Sequence, residues 1–150
     1  MGLCNLGFCY SQIGNGEMAK KGKVNFQLLK KLNSFDYYSK KGSKSLGFEW
    51  FEKHLLPILK GITKNNLNDA LATLTNHIAT QIASTLKTNK LKSVFVTGGG
   101  AHNNYLIELI KQKTTCKIII PNNQIINFKE ALIFAFLGYL RLNKKTNTLK

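Results

Sequence analysis

Acidic residues and arginine are scarce in this 150-residue chain. Seven Asp and Glu residues stand against 22 Lys and Arg residues, which gives a formal net charge of +15, and Arg141 is the single arginine. Such an excess favours a polyanionic partner such as nucleic acid. Arginine, however, is the residue suited to bidentate contacts with phosphates and guanines, and the lysines occur in scattered pairs. We therefore prefer a general abundance of lysine as the explanation and expect no nucleic-acid partner, with a basic polyanion-binding module as the alternative.

Cysteine pairs and long apolar runs are also missing. Cys4, Cys9 and Cys116 form no CxxC pair, so no zinc template is met and no metal site is predicted. An odd number of cysteines without a disulfide framework fits a reducing compartment, and Cys116 alternates with apolar residues as a small core residue would. The longest apolar run, 131–140, is half of the roughly 20 residues that cross a bilayer. We expect a cytoplasmic protein with no membrane partner.

The length and a hydrophobic content of 43% are those of a single domain. Residues 1–16 show no clear period and are predicted to be an irregular segment, so that the domain runs over 17–150. Apolar spacing predicts two short helices between 17 and 33, broken at Gly22, and a helix that Pro57 bends or ends. Leucines and isoleucines three or four residues apart predict a long helix from about 68 to 87.

The second half of the chain predicts an α/β unit. Strands at 93–97 and 116–120 flank a helix at 103–113, and such a strand, helix and strand form parallel strands with a right-handed crossover. Both strands are nearly all apolar, as expected when both faces of a sheet are covered. A last helix at 128–142 is apolar around most of its circumference and is predicted to be buried against the sheet.

The segment VFVTGGGAHN joins the first strand to the next helix through three consecutive glycines. Without Cβ atoms, Gly98, Gly99 and Gly100 can adopt positive φ and let a ligand approach the backbone, while the following helix presents unpaired N–H groups. This is one way to bind a phosphate. Tight turns between strand and helix also use glycine for steric reasons alone, and both interpretations stay open.

Four segments, in order along the chain, resemble the C-terminal portion of anhydro-N-acetylmuramic acid kinases. They read GKVN, KSLGFEWF, VTGGGAHNNYLIELI and FKEALIFAFLG. The resemblance implies an α/β C-terminal lobe of the actin, Hsp70 and sugar-kinase (ribonuclease H-like) fold over 17–150, with a βαβ unit and packed helices. The family uses ATP and water to open the 1,6-anhydro ring of anhydro-N-acetylmuramic acid and to phosphorylate its 6-hydroxyl, in the recycling of cell-wall sugar.

The resemblance also implies functions for individual residues. An ATP site, with Mg²⁺, is expected at Thr97, Gly98, Gly99 and Gly100, and a small-molecule substrate, the anhydro amino sugar, at Glu130 and Asn103. Asn103 can instead cap a helix. Glu130, placed near the start of the last predicted helix, can instead interact with the helix macrodipole.

A further segment of the family borders the cleft, and Asp36, Lys44 and Ser45 correspond to it. In this segment Ser43 replaces a proline of the family pattern.

The segments GTSxDG and DxGPxN, which carry the phosphate loop and catalytic aspartate of the family, are not found in the sequence, nor is the closing VTGA. The two aspartates, Asp36 and Asp69, lie in the cleft-bordering segment and at the start of an exposed helix, so neither is a good general base. No catalytic residue is therefore predicted. We expect a truncated or split kinase that is inactive alone and whose partner is a separate N-terminal lobe. A non-catalytic protein that docks to such a lobe is the alternative.

Overall fold

The computed structural model describes residues 15–40, 42, 45 and 47–148. Most of the predicted irregular segment, with Cys4 and Cys9, lies outside these residues, as do Ser43 and Lys44. The described helices and strands, in chain order, are α1 (Glu17–Lys21), α2 (Phe26–Asn33), α3 (Asp36–Ser39), α4 (Phe48–Trp50), a π-helical segment (Phe51–Leu55), α5 (Leu56–Leu59), a 3₁₀ turn (Lys64–Asn66), α6 (Leu67–Thr88), β1 (Ser93–Phe95), a second 3₁₀ turn (Gly99–His102), α7 (Asn104–Lys113), β2 (Lys117–Ile119) and α8 (Asn123–Leu142).

The long helix α6 is the centre of the fold, and α1, α2 and α7 all pack against it. Its Thr73 is fully buried and accepts a hydrogen bond from the Asn25 backbone N–H at 2.9 Å. One turn earlier, the carboxylate of Asp69 accepts a hydrogen bond from the Lys23 N–H at 2.7 Å. These two contacts fix the connection between α1 and α2 on α6. Asp69 therefore has a structural function.

Gly22 separates α1 from α2, as predicted. Its backbone lies so close to α6 that a Cβ at this position would overlap the carbonyl group of Asn68. The break in the helical pattern is therefore also a point of close backbone approach.

The predicted βαβ unit is confirmed. Strands β1 and β2 are parallel, and Val94 pairs with Ile118. These two residues share a face and pack against a core cluster formed with α6 and α7. Cys116, 7% exposed, belongs to this cluster and is the predicted small core residue.

The last helix differs from the prediction in two ways. It begins at Asn123, not at residue 128, because Asn122 is an N-cap whose side chain accepts a hydrogen bond from the Ile125 N–H at 3.0 Å. The prediction that it is buried against the sheet is wrong, since Ile126 is its one buried residue. Helix α8 packs near its first turns, against the 3₁₀ turn at Gly99–His102, and its remaining apolar surface has no cover among the described residues.

Pro57 does not end its helix, because α5 continues to Leu59. The preceding π-helical segment ends at Leu55, directly before α5. A proline removes one backbone donor from a helix, and a wider turn beside it is one way in which a helix accommodates that loss. Within the described residues, no helix is long and apolar enough to cross a membrane.

Candidate functional site at the glycine turn

The three glycines form a tight turn at the carboxyl end of β1. The Val96 N–H donates to the Ile119 carbonyl at 2.9 Å, which extends the strand pairing almost to the turn. Gly98 then adopts φ 79° and ψ 179°. Its carbonyl accepts the Ala101 N–H at 2.9 Å, and the Gly100 carbonyl accepts the Asn103 N–H at 3.2 Å. The turn is therefore held at both ends by its own backbone.

The three glycines are required for different reasons. Gly98 has a positive φ, which L residues with side chains rarely adopt, so its requirement is conformational. Gly99 and Gly100 have no positive φ, and a Cβ at either position would meet no atom within 4 Å. Steric crowding in the described part of the chain therefore does not explain why residues 99 and 100 are glycines. Their backbone lies open to a ligand, which is what a phosphate or nucleoside contact needs.

Thr97, directly before the turn, carries an unsatisfied polar group. Its Oγ1 is buried and has no hydrogen-bond partner in the described part of the chain. A buried hydroxyl without a partner costs about 1–3 kcal/mol, and unsatisfied groups of this kind occur at functional sites. The position next to an open glycine backbone makes Thr97 the side chain of this turn best suited to receive a ligand atom.

Asn103 is a helix cap, one of the two interpretations left open by the sequence. Its Oδ1 accepts a hydrogen bond from the Leu106 N–H at 3.0 Å and so caps α7. Gly16, which is buried with φ 80°, lies against this side chain, and a Cβ there would overlap Asn103 Oδ1. The side-chain amide Nδ2 has no partner among the described residues and remains open for a ligand.

Helix α8 reaches the glycine turn through one side-chain contact. His102, in the turn, lies with its Nε2 3.3 Å from Asn127 Oδ1 in the second turn of α8. Glu130 follows Asn127 by three residues, a spacing at which two side chains share a helix face about 5–6 Å apart. The carboxylate of Glu130 is thus placed one helical turn from the contact with the glycine turn.

The position of Glu130 in α8 also rules out an interaction with the helix macrodipole. It is the eighth residue of α8, and the first turn of α8 holds no acidic residue. The macrodipole acts within the first and last turns of a helix, so it does not account for this carboxylate. Glu130 is exposed, and the described residues provide it with no ion pair.

The segment predicted to border the cleft is described only in part. Asp36 is exposed at the start of α3, and Ser45 is exposed, whereas Lys44 lies outside the described residues. The structure does not bring Asp36 or Ser45 into recorded contact with the glycine turn. The described residues hold no group of three His, Cys, Asp or Glu side chains that could bind a metal ion.

His77 is a buried structural histidine. It is 4% exposed, and its Nδ1 lies 2.7 Å from Asn33 Oδ1, which also accepts from Gln81 Nε2 at 2.9 Å. Since Asn33 Oδ1 is an acceptor, His77 Nδ1 donates, and Nε2 accepts from the Tyr38 hydroxyl at 2.9 Å. Burial lowers the pKa of His77. Burial, and then the neighbouring Tyr37, raise the pKa of Tyr38.

A basic concavity lies at the other end of the βαβ unit. A cavity of about 640 Å³ there is lined by four lysines, two leucines and three polar residues. The lysines are Lys87, Lys90, Lys92 and Lys113. Lys87 and Lys113 are in the last turns of α6 and α7, where cations are favoured by the helix macrodipole. The macrodipole therefore accounts for two of these four lysines without an anionic ligand.

Comparison with known proteins decides the family. The family model described as anhydro-N-acetylmuramic acid kinase matches residues 9–149. The chain belongs to the anhydro-N-acetylmuramic acid kinase family. Among proteins named anhydro-N-acetylmuramic acid kinase, that of Clostridioides difficile is 34% identical over 95% of this chain and 39% of its own length. That of Hahella chejuensis is 32% identical over 90% of this chain and 38% of its own length. That of Rhodococcus erythropolis is 33% identical over 83% of this chain and 32% of its own length.

These anhydro-N-acetylmuramic acid kinases are longer than the region they share with this chain. The chain spans about a third to two fifths of the length of the relatives that it matches. The matched range contains the whole glycine turn and the whole of α8.

Two contacts of the site were not predicted from the sequence. Asn127, which connects α8 to the glycine turn, lies before the helix that the sequence predicts at 128–142. Gly16 was placed in the irregular segment, although it packs on Asn103. The signal for the first was present, since Asn122 followed by Ile125 and Ile126 is a helix N-terminus pattern. Gly16 carries no sequence signal that distinguishes it from a loop glycine.

Proposed function

We propose that this chain provides the nucleotide-facing part of an ATP-dependent kinase for 1,6-anhydro-N-acetylmuramic acid. The reaction opens the anhydro ring with water and phosphorylates the 6-hydroxyl, giving N-acetylmuramic acid 6-phosphate in the cytoplasmic recycling of cell-wall sugar. Residues 17–150 then form the C-terminal lobe of an actin, Hsp70 and sugar-kinase (ribonuclease H-like) fold.

The observation that carries the proposal is the open backbone at Gly99 and Gly100 within the family-matched range. Phosphoryl transfer depends on positioning and charge neutralisation, and backbone N–H groups beside an open turn can provide both. The turn therefore fits a nucleotide phosphate.

Within this proposal the side chains around the turn have distinct functions. Thr97 Oγ1 and the backbone of Gly98, Gly99 and Gly100 contact ATP, and Glu130 contacts the sugar. Asn103 keeps its cap and offers Nδ2 to the sugar. Mg²⁺ enters with the ATP, since this ion is commonly bound by substrate phosphates and few protein ligands.

A complete active site needs groups beyond those described. Asp69 is held by the Lys23 N–H and Asp36 is exposed at a helix start, so neither is placed to activate water at the glycine turn. We propose that a separate N-terminal lobe, carrying GTSxDG and DxGPxN segments, supplies the general base.

Nucleotide binding to the isolated chain tests the assignment of the turn. Gly100→Val places a side chain in the free space beside the turn, and we expect MgATP affinity, measured by calorimetry, to fall at least about tenfold, which is about 1.4 kcal/mol. Gly138→Val is the matched control, because a Cβ at Gly138 also meets nothing within 4 Å. Equal affinity of Gly100→Val and the parent chain, or no binding by the parent, would contradict the assignment.

A further inference from the structure

Helix α8 carries an apolar stripe that has no cover. Among the described residues sixteen large hydrophobic side chains are exposed, and eight of them belong to α8. Six of these eight are spaced three or four residues apart and so lie along one side of the helix. They are called the outer stripe here and are Ile125, Phe128, Leu132, Phe136, Tyr139 and Leu142.

The outer stripe is large for the free surface of a monomer. Its side chains are 41–86% exposed, and because an aromatic side chain can bury about 150–250 Å², the stripe amounts to several hundred Å². Patches beyond a few hundred Å² mark interaction sites. At about 1.5 Å per residue the stripe is about 27 Å long, and it contains no charged residue. Both features suit a polypeptide partner.

The sheet provides a second, independent sign of missing cover. Phe95 pairs with Ile119 on the face opposite the core cluster, and these residues are 52% and 38% exposed. Parallel sheets are normally covered on both faces, and two strands alone form a marginal sheet. The described residues therefore provide no cover for this face of the sheet.

We infer that the outer stripe of α8 docks the separate N-terminal lobe, that is, a polypeptide corresponding to the part of the relatives that this chain does not match. The inference rests on the proposed function, which requires that lobe. The relatives contain the α8 region together with more than half of their length that this chain does not match.

Co-expression tests this inference. The tagged chain is produced with the unmatched part of the Clostridioides difficile relative, and the two are purified together. We expect a 1:1 complex in which amide hydrogens of residues 123–142 exchange at least about tenfold more slowly than in the chain alone, as protection by a cover requires. Phe136→Asp should abolish co-purification. Phe26→Asp, a matched control on α2 at a side chain that is 78% exposed, should leave it intact.

Three results would overturn the inference. The first is the absence of a complex, or a complex that forms equally well with Phe136→Asp. The second is dimerisation of the chain alone, in which residues 123–142 are protected from amide exchange and Phe136→Asp removes this protection. The stripe would then bind a second copy of the chain. The third is a monomer with 123–142 already protected, which would place the cover within the chain. A complex without kinase activity would count against the proposed function and not against the docking surface.

Discussion

At the scale of single residues, the buried hydroxyl of Thr97 gives a test of ligand binding that is separate from folding. Thr97→Val keeps the shape of the side chain and removes an oxygen that has no hydrogen-bond partner in the described part of the chain. We expect the free energy of unfolding, from urea titration, to stay equal or rise by up to about 1–3 kcal/mol. MgATP affinity should fall, because the proposed ligand contact is lost.

MgATP affinity should thus fall at this position without a loss of stability. Thr97→Ser, which keeps the hydroxyl, is the control and should retain the affinity. A Thr97→Val chain that is markedly less stable would mean that the hydroxyl has a partner in the protein, and the argument for a ligand atom at this position would fail.

His77 predicts a dependence of stability on pH. Its folded pKa lies below the ordinary 6.5 because the ring is buried, so below pH 6.5 the unfolded chain binds a proton that the folded chain does not. The free energy of unfolding should therefore fall as pH falls, by up to about 1.4 kcal/mol per pH unit, until the folded pKa is reached. Urea titrations between pH 7.5 and 5 measure this slope.

The same titrations on two variants assign the slope to its residue. His77→Phe should be less stable at pH 7.5, since Asn33 and Tyr38 lose a hydrogen-bonding group, and its slope should be smaller. Thr97→Ser, which changes no titratable group, should keep the slope of the parent chain. An unchanged slope in His77→Phe would show that other groups cause the dependence.

At the scale of elements, two glycines of the second half predict opposite effects of the same substitution. Gly138 lies inside α8, where a Cβ meets no atom within 4 Å, so Gly138→Ala should raise helix stability by about 0.5–1 kcal/mol. Gly98 has φ 79°, and Gly98→Ala should cost at least about 1 kcal/mol. Far-UV circular dichroism through a thermal melt compares the two.

Equal effects of the two substitutions would contradict the described backbone. A loss of helix content in Gly138→Ala would in particular mean that α8 is not continuous through this residue, or that another surface packs closely against it.

The elements also show what the sequence could and could not predict. The βαβ unit, the break at Gly22 and the cap at Asn103 follow from local spacing and from the chemistry of single side chains, so they were predictable. The start of α8 was missed because Asn122 and Asn123 resemble a loop, although Asn122 caps the helix. The exposure of α8 could not be predicted, since an apolar pattern states that a helix needs cover but not that the cover is present in the same chain.

The glycine turn shows the same division within the candidate site. Three consecutive glycines after a strand were consistent with a turn open to a ligand. They did not show which glycine is required for a positive φ and which leaves the backbone accessible to a ligand. That distinction depends on φ at Gly98 and on the neighbours of Gly99 and Gly100, which are properties of the folded chain. The relation of Glu130 to the turn also required the contact between His102 and Asn127.

At the scale of the whole molecule, the chain combines an open glycine turn with a large apolar surface that the described residues leave uncovered. The first agrees with an ATP-binding function and the second with a partner lobe, and the described aspartates are not placed to act as a base. Together they support the proposal of a kinase part whose chemistry depends on another polypeptide. The charge of +15 does not enter this account, because the cavity lined by four lysines lies at the other end of the βαβ unit from the turn.

The turnover of the isolated chain tests this account most directly. Purified chain is incubated with 1,6-anhydro-N-acetylmuramic acid and MgATP, with the Clostridioides difficile relative assayed in parallel, and N-acetylmuramic acid 6-phosphate is measured by mass spectrometry. The account predicts product from the relative and none above background from the chain alone. Robust phosphorylation by the isolated chain would contradict it, since the chain itself would then include the base that activates water.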